Sequence, residues 1–429
     1  MWKFLEKKEK FGNLALGLVL FAFLIVGITR ADQKSDFLDY YNASKRWVTG
    51  ENLYRFDVAL QLTQIRSLEE LFQPENLPLL QALQNETATY IYPPLFSFLL
   101  IPLGKLSPYH ASLIFQLMSW LALLAMIWLL LKHDNSLFTK MKLPGWTFTI
   151  LLLLNFRFIE SHIQNNQVGI ILICLILLSI LSKRDGLSGF LLALAVSIKV
   201  TPIVFLFLFI YQRRFWVIGY FAISILFWNL LPCLYNFSYT IQMTNSWFSE
   251  ILGNAMSNPM LRSWKNNQSF VSTMAKYFLV GADFINQPNY NLPVFQLTKE
   301  TVKYVQLVFV GLFGLPLLFL LKRKDLSWEI LSLLFLFSAI FSGISWTHSF
   351  VICLIPYLLI LFYHQTNRLG KVESYILAAV TGLPLLTHRN FIGSKFESAL
   401  SMFSILLYTS SILYFIILKK AYTKDANRN

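Results

Sequence analysis

Residues 12–44 read GNLALGLVLFAFLIVGITRADQKSDFLDYYNAS, and this stretch decides the fold. Its first part, residues 12–29, is apolar and nearly as long as the roughly 20 residues that a helix needs to cross a bilayer. No small-residue cleavage site follows, so we expect a retained anchor rather than a signal peptide. A polar segment with three aspartates comes directly after the anchor.

The rest of the chain repeats these apolar runs. Of its 429 residues, 56% are hydrophobic and only 14% are charged, and this composition excludes a water-soluble enzyme. We predict an all-α polytopic membrane protein with a single integral membrane domain over residues 1–429. The apolar runs cover residues 12–29, 109–131, 145–162, 168–182, 187–211, 215–235, 301–321, 326–345, 347–363, 373–387 and 398–418.

The basic residues predict the orientation of the chain. Short segments between the apolar runs and at the two ends hold 20 of the 36 Lys and Arg residues. By the positive-inside rule these segments and both termini face the cytoplasm, and two long polar loops, 30–108 and 236–300, lie outside. The net charge of +14 therefore reflects topology, and we expect no nucleic-acid partner.

Two apolar segments do not fit this orientation as simple spans. A crossing at residues 91–106 would place the basic segment that follows outside, so we predict that this segment does not cross. It either forms short amphipathic helices at the outer face or dips into the membrane and returns. Residues 187–211 have basic residues at both ends and a break at 199–202, which predicts two short helices, 187–198 and 202–211. The total is about twelve transmembrane helices.

The first external loop opens on a possible acidic helix. If residues 36–44 are helical, side chains three and four positions apart share one face. That face carries Asp36, Asp39, Tyr40 and Ala43. It would point carboxylates at the membrane surface. The alternative is a solvated amphipathic helix with Asp36 as its N-terminal charge.

The connection at residues 155–167 is unusually polar for a short link between two apolar runs. Cationic and imidazole groups suit a phosphate, and side-chain amides suit sugar hydroxyls or phosphate oxygens. The candidates are Arg157 and His162 for the phosphate, and Asn166 and Gln167 for the sugar. The alternative is an Arg157–Glu160 ion pair that closes an ordinary loop.

Lys199 is a charged residue within the apolar run 187–211. A charged side chain at the centre of a membrane helix costs about 2.5–3.5 kcal/mol on insertion scales, so an intramembrane lysine indicates a functional site. No acidic residue lies in its own hairpin. Its partner is therefore a distant carboxylate, a ligand phosphate, or solvent reached by snorkelling.

Two further polar groups give weaker signals. Asn267 and Gln268 belong to a polar cluster with Arg262 in the second external loop, where polar residues are common. His348 follows Trp346 at the outer end of two apolar runs, where a histidine is more often structural than a ligand.

The polar candidates together suit a lipid phosphate that carries a sugar. Transfer from such a donor needs one carboxylate to take a proton from the acceptor hydroxyl, and cations to stabilise the departing phosphate. Phosphate leaves as a stable anion, so no general acid is needed. Asp36 is sufficient as the base of an inverting transfer. Asp39 is a second candidate base, or orients a hydroxyl.

Several motifs occur in an order that resembles glycosyltransferase family 87. They are DFxxYYxA at 36–43, YPPLF at 92–96, Gln167 at the start of a span, and GxxLAxAxxxKxxP at 189–202. Asn267-Gln268-Ser269 and Trp346-x-His348 are looser matches. The resemblance covers roughly the first half of the chain in ordered motifs.

The resemblance implies a GT-C fold and a polyprenyl-phosphate-sugar donor. We expect the sugar to be a hexose, mannose, with another hexose or a pentose as the alternatives. The resemblance implies that Asp36 is the catalytic base and that His348 lies at the donor phosphate. It also implies a bacterial inner membrane, with the active site on the periplasmic side. We assign Asp39, Tyr40, Tyr41, Asn166, Gln167, Asn267 and Gln268 to the sugar or acceptor.

We expect the partners to be this donor, a glycolipid or glycan acceptor and membrane lipids, and we expect a monomer without cofactor. Asp36 and Asp39 are a poor match to the acidic pair of metal-dependent GT-C enzymes, so we predict no metal. One alternative is a secondary transporter or lipid flippase that binds an anionic solute through Lys199 and Arg157. Another is an oligosaccharide polymerase or ligase, for which we would expect more external arginines.

Overall fold

The computed structural model of the chain describes residues 2–33, 35–54, 68–78, 90–134, 136–253, 264–279, 295–320 and 327–426. These residues form helices and no strands, as the apolar patterning predicts. The helices of the first half are α1 (Trp2–Arg30), α2 (Phe37–Thr49), α3 (Leu68–Leu71), α4 (Pro94–Leu99), α5 (Ile101–Gly104), α6 (Pro108–Lys132), α7 (Pro144–Leu154), α8 (Phe156–Gln164), α9 (Gly169–Leu181) and α10 (Asp185–Ile198).

The second half continues the helical pattern. Its helices are α11 (Leu206–Tyr211), α12 (Phe215–Leu230), α13 (Phe237–Ser246), α14 (Phe270–Phe278), α15 (Lys299–Phe319), α16 (Trp328–Ile340), α17 (Leu354–Gln365), α18 (Lys371–Leu386), α19 (Arg389–Met402) and α20 (Ile405–Ala426). Short 3-10 turns precede α11 at Thr201–Phe205 and α17 at Thr347–Cys353. Parts of both predicted external loops, Arg262 among them, lie outside the described residues.

Six helical segments of the described chain are long and apolar enough to cross a membrane. They are Lys8–Arg30, Pro108–Lys132, Phe215–Leu234, Lys299–Phe319, Thr347–Gln365 and Ile405–Thr423. The bent pair α8 and α9 gives a seventh if it counts as one span, and four shorter apolar segments accompany them. The chain is thus a polytopic membrane protein, and the figure of twelve spans stays a prediction.

One predicted span is divided in two. The apolar run 145–162 is split at Asn155, where α7 ends and α8 begins. The amide of Asn155 donates to the carbonyl of Leu151, and its backbone leaves the helical region. The axis then bends by 115° between α8 and α9. Apolar content alone did not reveal these breaks, which place the polar 155–167 segment at a sharp corner.

The break at Lys199 lies where the sequence predicts it. Helix α10 ends at Ile198, Lys199 is extended, and Pro202 lies in the 3-10 turn that follows. A side chain at Gly189 would come within 2.6 Å of the backbone of Phe221, so α10 and α12 pack closely because this residue is glycine. This packing fixes the helix that carries Lys199.

Helix α2 is buried on its polar face, which contradicts a solvated amphipathic helix. Asp39 and Tyr40 are 4% and 2% exposed. The indole of Trp47 donates to the hydroxyl of Ser97 on α4 at 2.9 Å. The helix ends at Gly50, whose positive φ of 76° suits a residue without a Cβ. Helix α2 is therefore packed into the protein.

Candidate active site

Asp36 sits immediately before α2, at the position of a helix cap. Aspartate there usually accepts a hydrogen bond from a backbone N–H of the first turn, but Asp36 makes no such bond. Its Oδ2 instead accepts a hydrogen bond from Gln167 Nε2 at 2.5 Å. The carboxylate is thus directed away from its own helix and toward the corner between α8 and α9.

Neighbouring hydroxyls hold the side-chain amide of Gln167 in one orientation. Its Oε1 accepts from the hydroxyls of Tyr40 at 2.8 Å and Tyr92 at 3.3 Å. The two tyrosine oxygens also lie 3.0 Å apart. Because the amide oxygen faces hydroxyl donors, the amide nitrogen faces Asp36. Three segments that are far apart in the sequence therefore meet at one amide.

The environment of Asp36 favours its protonated form. Burial is the largest cause, followed by the neighbouring charge of Asp39, and together they raise the pKa of Asp36 from 3.8 to about 7 against the opposing hydrogen bond from Gln167. A general base works best when its pKa lies near the operating pH. Burial also raises the pKa of Tyr40 well above 10, so its hydroxyl stays a donor.

Lys199 lies on the other side of Tyr92. Its Nζ is 5.6 Å from the centre of the Tyr92 ring, within the range of a cation–π interaction. Lys199 is also close enough to His162 and His348 to act electrostatically on both rings. Within the described part of the chain, no carboxylate forms an ion pair with Lys199. Its charge is therefore available to an anionic ligand.

A pocket joins Gln167, Lys199 and His348. Its empty volume is about 590 Å³, and we call it the Lys199 pocket. Polar residues from three regions line it together with apolar side chains of α9 and α16. The polar residues are Gln167, Lys199, Thr201, Ser338, Ser342, Ser345, His348 and Ser349. A pocket of this mixed lining suits a phosphate with an attached polar group.

His162 and Asn166 shape the corner beside this pocket. His162 Nε2 accepts a hydrogen bond from the backbone N–H of Ile170, and its ring lines a different, apolar cavity. Asn166 has a positive φ of 47°, and its amide donates to both oxygens of Ser112. These contacts fix the turn that presents Gln167.

Arg157 faces away from the Lys199 pocket. Its guanidinium donates to Glu397 at 3.2 Å and to Thr387 at 2.7 Å, and the side chain is 2% exposed. The Arg157–Glu160 ion pair considered from sequence is wrong, because Glu160 pairs with Arg30 at 2.8 Å. Both side chains contact the turn between α18 and α19, Arg157 at Thr387 and Glu160 at His388.

Asn267 and Gln268 form hydrogen bonds with backbone groups of segments distant in the sequence. Asn267 Oδ1 accepts from the backbone N–H of Ser345 at 2.8 Å, and its amide donates to the carbonyl of Gly343. Gln268 donates to the carbonyl of Ser401 at 2.7 Å. Asn267 thus holds the wall of the Lys199 pocket that carries Ser345, rather than lining the pocket.

Tyr41 points away from Asp36, and Tyr92 was missed. The Tyr41 hydroxyl donates to the carbonyl of Leu106, which anchors α2 to the segment after α5. Tyr92 was noted only as part of the YPPLF motif, yet it contacts Tyr40, Gln167 and Lys199. A polar-tipped aromatic directly before two prolines in an outer segment was the available signal.

Among the described residues, no three His, Cys, Asp or Glu side chains lie together as metal ligands. The expectation of a metal-independent enzyme stays a prediction.

The helices and the pocket define a polytopic membrane protein with a partly buried carboxylate at one corner, together with a lysine that has no carboxylate partner among the described residues. The sequence profile of glycosyltransferase family 87 matches residues 90–343, which is more than half of the chain. The chain belongs to glycosyltransferase family 87, as its motifs suggested. The match includes Tyr92, Gln167 and Lys199, whereas Asp36 and His348 lie outside it. No curated protein matches the chain.

Proposed function

We propose that the protein is an inverting membrane glycosyltransferase that moves a hexose, mannose, from a polyprenyl-phosphate donor to a glycolipid or glycan acceptor. Family membership supports a glycosyltransferase. The observation that carries the finer proposal is the Gln167 amide. It bonds the carboxylate of Asp36 and lines the pocket that also contains Lys199 and His348.

The donor phosphate binds in the Lys199 pocket in this proposal. Lys199 supplies a cation without a carboxylate partner in the described residues, and a charge-assisted hydrogen bond to phosphate is stronger than a neutral one. His348 lines the same pocket, and its Nδ1 has no hydrogen-bond partner among the described residues. Arg157 is engaged with Glu397, so the phosphate assignment rests on Lys199 and His348.

Asp36 acts as the base. Its carboxylate takes the proton of an acceptor hydroxyl as the acceptor oxygen forms a bond to the anomeric carbon. The bond from that carbon to the phosphate oxygen breaks on the opposite face, and the electron pair leaves with the polyprenyl phosphate. Lys199 stabilises the charge that develops there. Attack opposite the leaving group inverts the anomeric configuration, and no metal or cofactor takes part.

The proposal includes the setting of the reaction. We assign the protein to a bacterial inner membrane on the family resemblance. We place both termini in the cytoplasm and the site on the periplasmic side because the basic segments follow the positive-inside rule. The chain acts as a monomer in this proposal. A transporter or flippase is disfavoured because the family is one of glycosyltransferases.

The test is a transfer assay with purified protein in lipid nanodiscs. Polyprenyl-phosphate-[radiolabelled] mannose and a membrane lipid extract are incubated with the wild type or with Asp36→Asn. We expect label to enter a new glycolipid with the wild type alone, while both proteins bind the donor. Label transfer that is equal in the two proteins would overturn the assignment of Asp36. A wild type that binds no donor would overturn the donor class.

A further inference from the structure

A second cavity lies between α1, α6 and α8. Its empty volume is about 800 Å³, and we call it the Ser119 pocket. Its lining is apolar side chains of α1, α6, α8 and the start of α9, apart from the polar residues Gln116, Ser119 and His162. Ile28 and Leu117 on its border are 39% and 44% exposed, so the cavity borders the lipid-facing surface between α1 and α6.

Two buried polar atoms in this apolar lining have no hydrogen-bond partner among the described residues. They are Ser119 Oγ and His162 Nδ1, in side chains that are 4% and 1% exposed. The third polar residue, Gln116, uses its amide to donate to the carbonyl of Ile163. A buried polar group without a partner is costly, so an oxygen of a bound molecule would complete the site.

The tautomer of His162 specifies what that molecule must offer. Its Nε2 accepts the backbone N–H of Ile170 at 3.1 Å and so carries no proton. A neutral imidazole then carries its proton on Nδ1, which makes Nδ1 a donor. The hydroxyl of Ser119 is also a donor. Because Nδ1 of His162 can only donate and the Ser119 hydroxyl can donate, an acceptor oxygen in an otherwise apolar molecule would satisfy both atoms.

The Ser119 pocket adjoins the candidate active site across one turn. His162 and Ile163 line the Ser119 pocket, whereas Gln167 lines the Lys199 pocket. The turn between them is the corner whose Gln167 bonds Asp36. Two molecules held in these cavities would therefore lie on opposite sides of this turn.

We propose that the Ser119 pocket binds the acyl chain of the acceptor, an acylated glycolipid, with an ester carbonyl accepting hydrogen bonds from His162 and Ser119. The inference rests on the proposed function and specifies its acceptor. A polyprenyl chain carries no oxygen along its hydrocarbon, so it would leave both donors unsatisfied. An ester-linked acyl chain satisfies them and fills the apolar walls.

The experiment uses two photoactivatable probes with the full chain in nanodiscs. One is a diacylglycerol with a diazirine in the acyl chain near the ester, and the other is a polyprenyl phosphate with a diazirine on an isoprene unit. Peptide mapping locates the labelled residues. We expect the acyl probe to label α6 and α8 at the Ser119 pocket, and the polyprenyl probe to label the Lys199 pocket.

Two variants close or alter the pocket. The atoms nearest to a Cβ at Gly27 belong to the Gln116 side chain, the first at 3.5 Å, so Gly27→Leu projects into the cavity without a backbone clash and should lower acyl labelling roughly tenfold. Ser119→Ala removes one hydroxyl and should lower it roughly two- to tenfold. Leu121→Phe is the matched control on α6, because its side chain is 51% exposed, and labelling should not change.

The outcomes separate this inference from the proposed function. Labelling of the Ser119 pocket by the polyprenyl probe instead would overturn the acyl assignment, and so would acyl labelling that Gly27→Leu leaves unchanged. Sugar transfer that depends on Asp36 would stand in either case. Conversely, acyl labelling with no sugar transfer by the wild type would support the lipid site and contradict the transferase.

Discussion

Two polar clusters lie on the two sides of the α8 helix and the corner that follows it, and they differ in how their charges are balanced. In the Arg157 cluster, Arg157 and Arg389 share Glu397, at 3.2 and 3.0 Å. Glu160 in the same cluster pairs with Arg30. In the Asp36 cluster, Asp36 accepts a hydrogen bond from the neutral amide of Gln167, and Lys199 lies over the ring of Tyr92.

The difference supports the proposal that the Arg157 cluster is structural and the Asp36 cluster catalytic. In the Arg157 cluster, Arg157 and Glu160 each have an oppositely charged partner, and removing one partner of such a buried pair is strongly destabilising. A carboxylate with a raised pKa and a cation beside a pocket are poorly stabilised without a ligand, which is common at active sites. The contrast predicts that the two clusters respond in opposite ways to substitution.

The largest effect is expected at Asp36. Asp36→Asn removes the base but keeps the shape, so the transfer rate should fall by about 10²–10⁴-fold while the protein stays folded and binds donor. Single-turnover transfer in nanodiscs measures the rate, and thermal unfolding checks the fold. A loss of thermal stability in Asp36→Asn as large as the loss expected for Arg157→Met would contradict the distinction between the two clusters.

Arg157→Met should instead act on stability. Removing one partner of a buried ion pair costs about 3 kcal/mol of unfolding free energy, the lower end of the usual range because Arg389 still contacts Glu397. Denaturant unfolding in detergent measures this loss. Arg389→Met is the matched control on the same carboxylate, and its 53% exposed side chain should cost less than about 1 kcal/mol. Equal losses in the two variants would contradict the distinction.

Lys199→Met should weaken donor binding. A hydrogen bond to a charged group contributes about 1.5–3 kcal/mol, so the Kd for the polyprenyl-phosphate donor should rise roughly 10- to 150-fold. Equilibrium binding in nanodiscs measures it. Lys183→Met is the control, because Lys183 is 70% exposed and pairs with Asp134 away from the pocket. An unchanged Kd would return Lys199 to a structural role.

The smallest effect is the pH dependence. Because burial raises the pKa of Asp36 to about 7, the base is about half ionised at pH 7 and about one-tenth ionised at pH 6. Transfer should rise about tenfold per pH unit below pH 7 and level off above it. Initial rates across pH 5–9 measure the profile. The residual activity of Asp36→Asn should lack this rise, and a rise centred near pH 4 would contradict a raised pKa.

The sequence predicted the features that depend on the free-energy cost of a single residue within an apolar run. Lys199 and Pro202 interrupt an apolar run, and the structure breaks the helix there. The ordered motifs were sufficient for the family, which the profile match confirms. Asn155 was not recognised as a break, because a single asparagine in an apolar run is also compatible with a continuous helix.

Partners across long separations were beyond the sequence. Arg157 pairs with Glu397, 240 residues away, although Glu160 lies one helical turn from it. Gln167 and Asp36 are 131 residues apart and were assigned separate roles, without any indication that they touch. Local spacing predicts contacts on one helix face, but contacts between helices depend on packing that a single sequence does not reveal.

The orientation of the Gln167 amide has a consequence for the product. Two tyrosine hydroxyls fix the amide oxygen, and its nitrogen occupies Oδ2 of Asp36. In the proposed mechanism, Oδ1 and the lone-pair site that Gln167 leaves on Oδ2 are the sites that can receive a proton from an acceptor hydroxyl. A carboxylate that is covered on one side by an amide accepts hydroxyls from fewer directions. Regiochemistry, the choice of which sugar carbon carries the new linkage, would therefore be narrowed by the Gln167 amide.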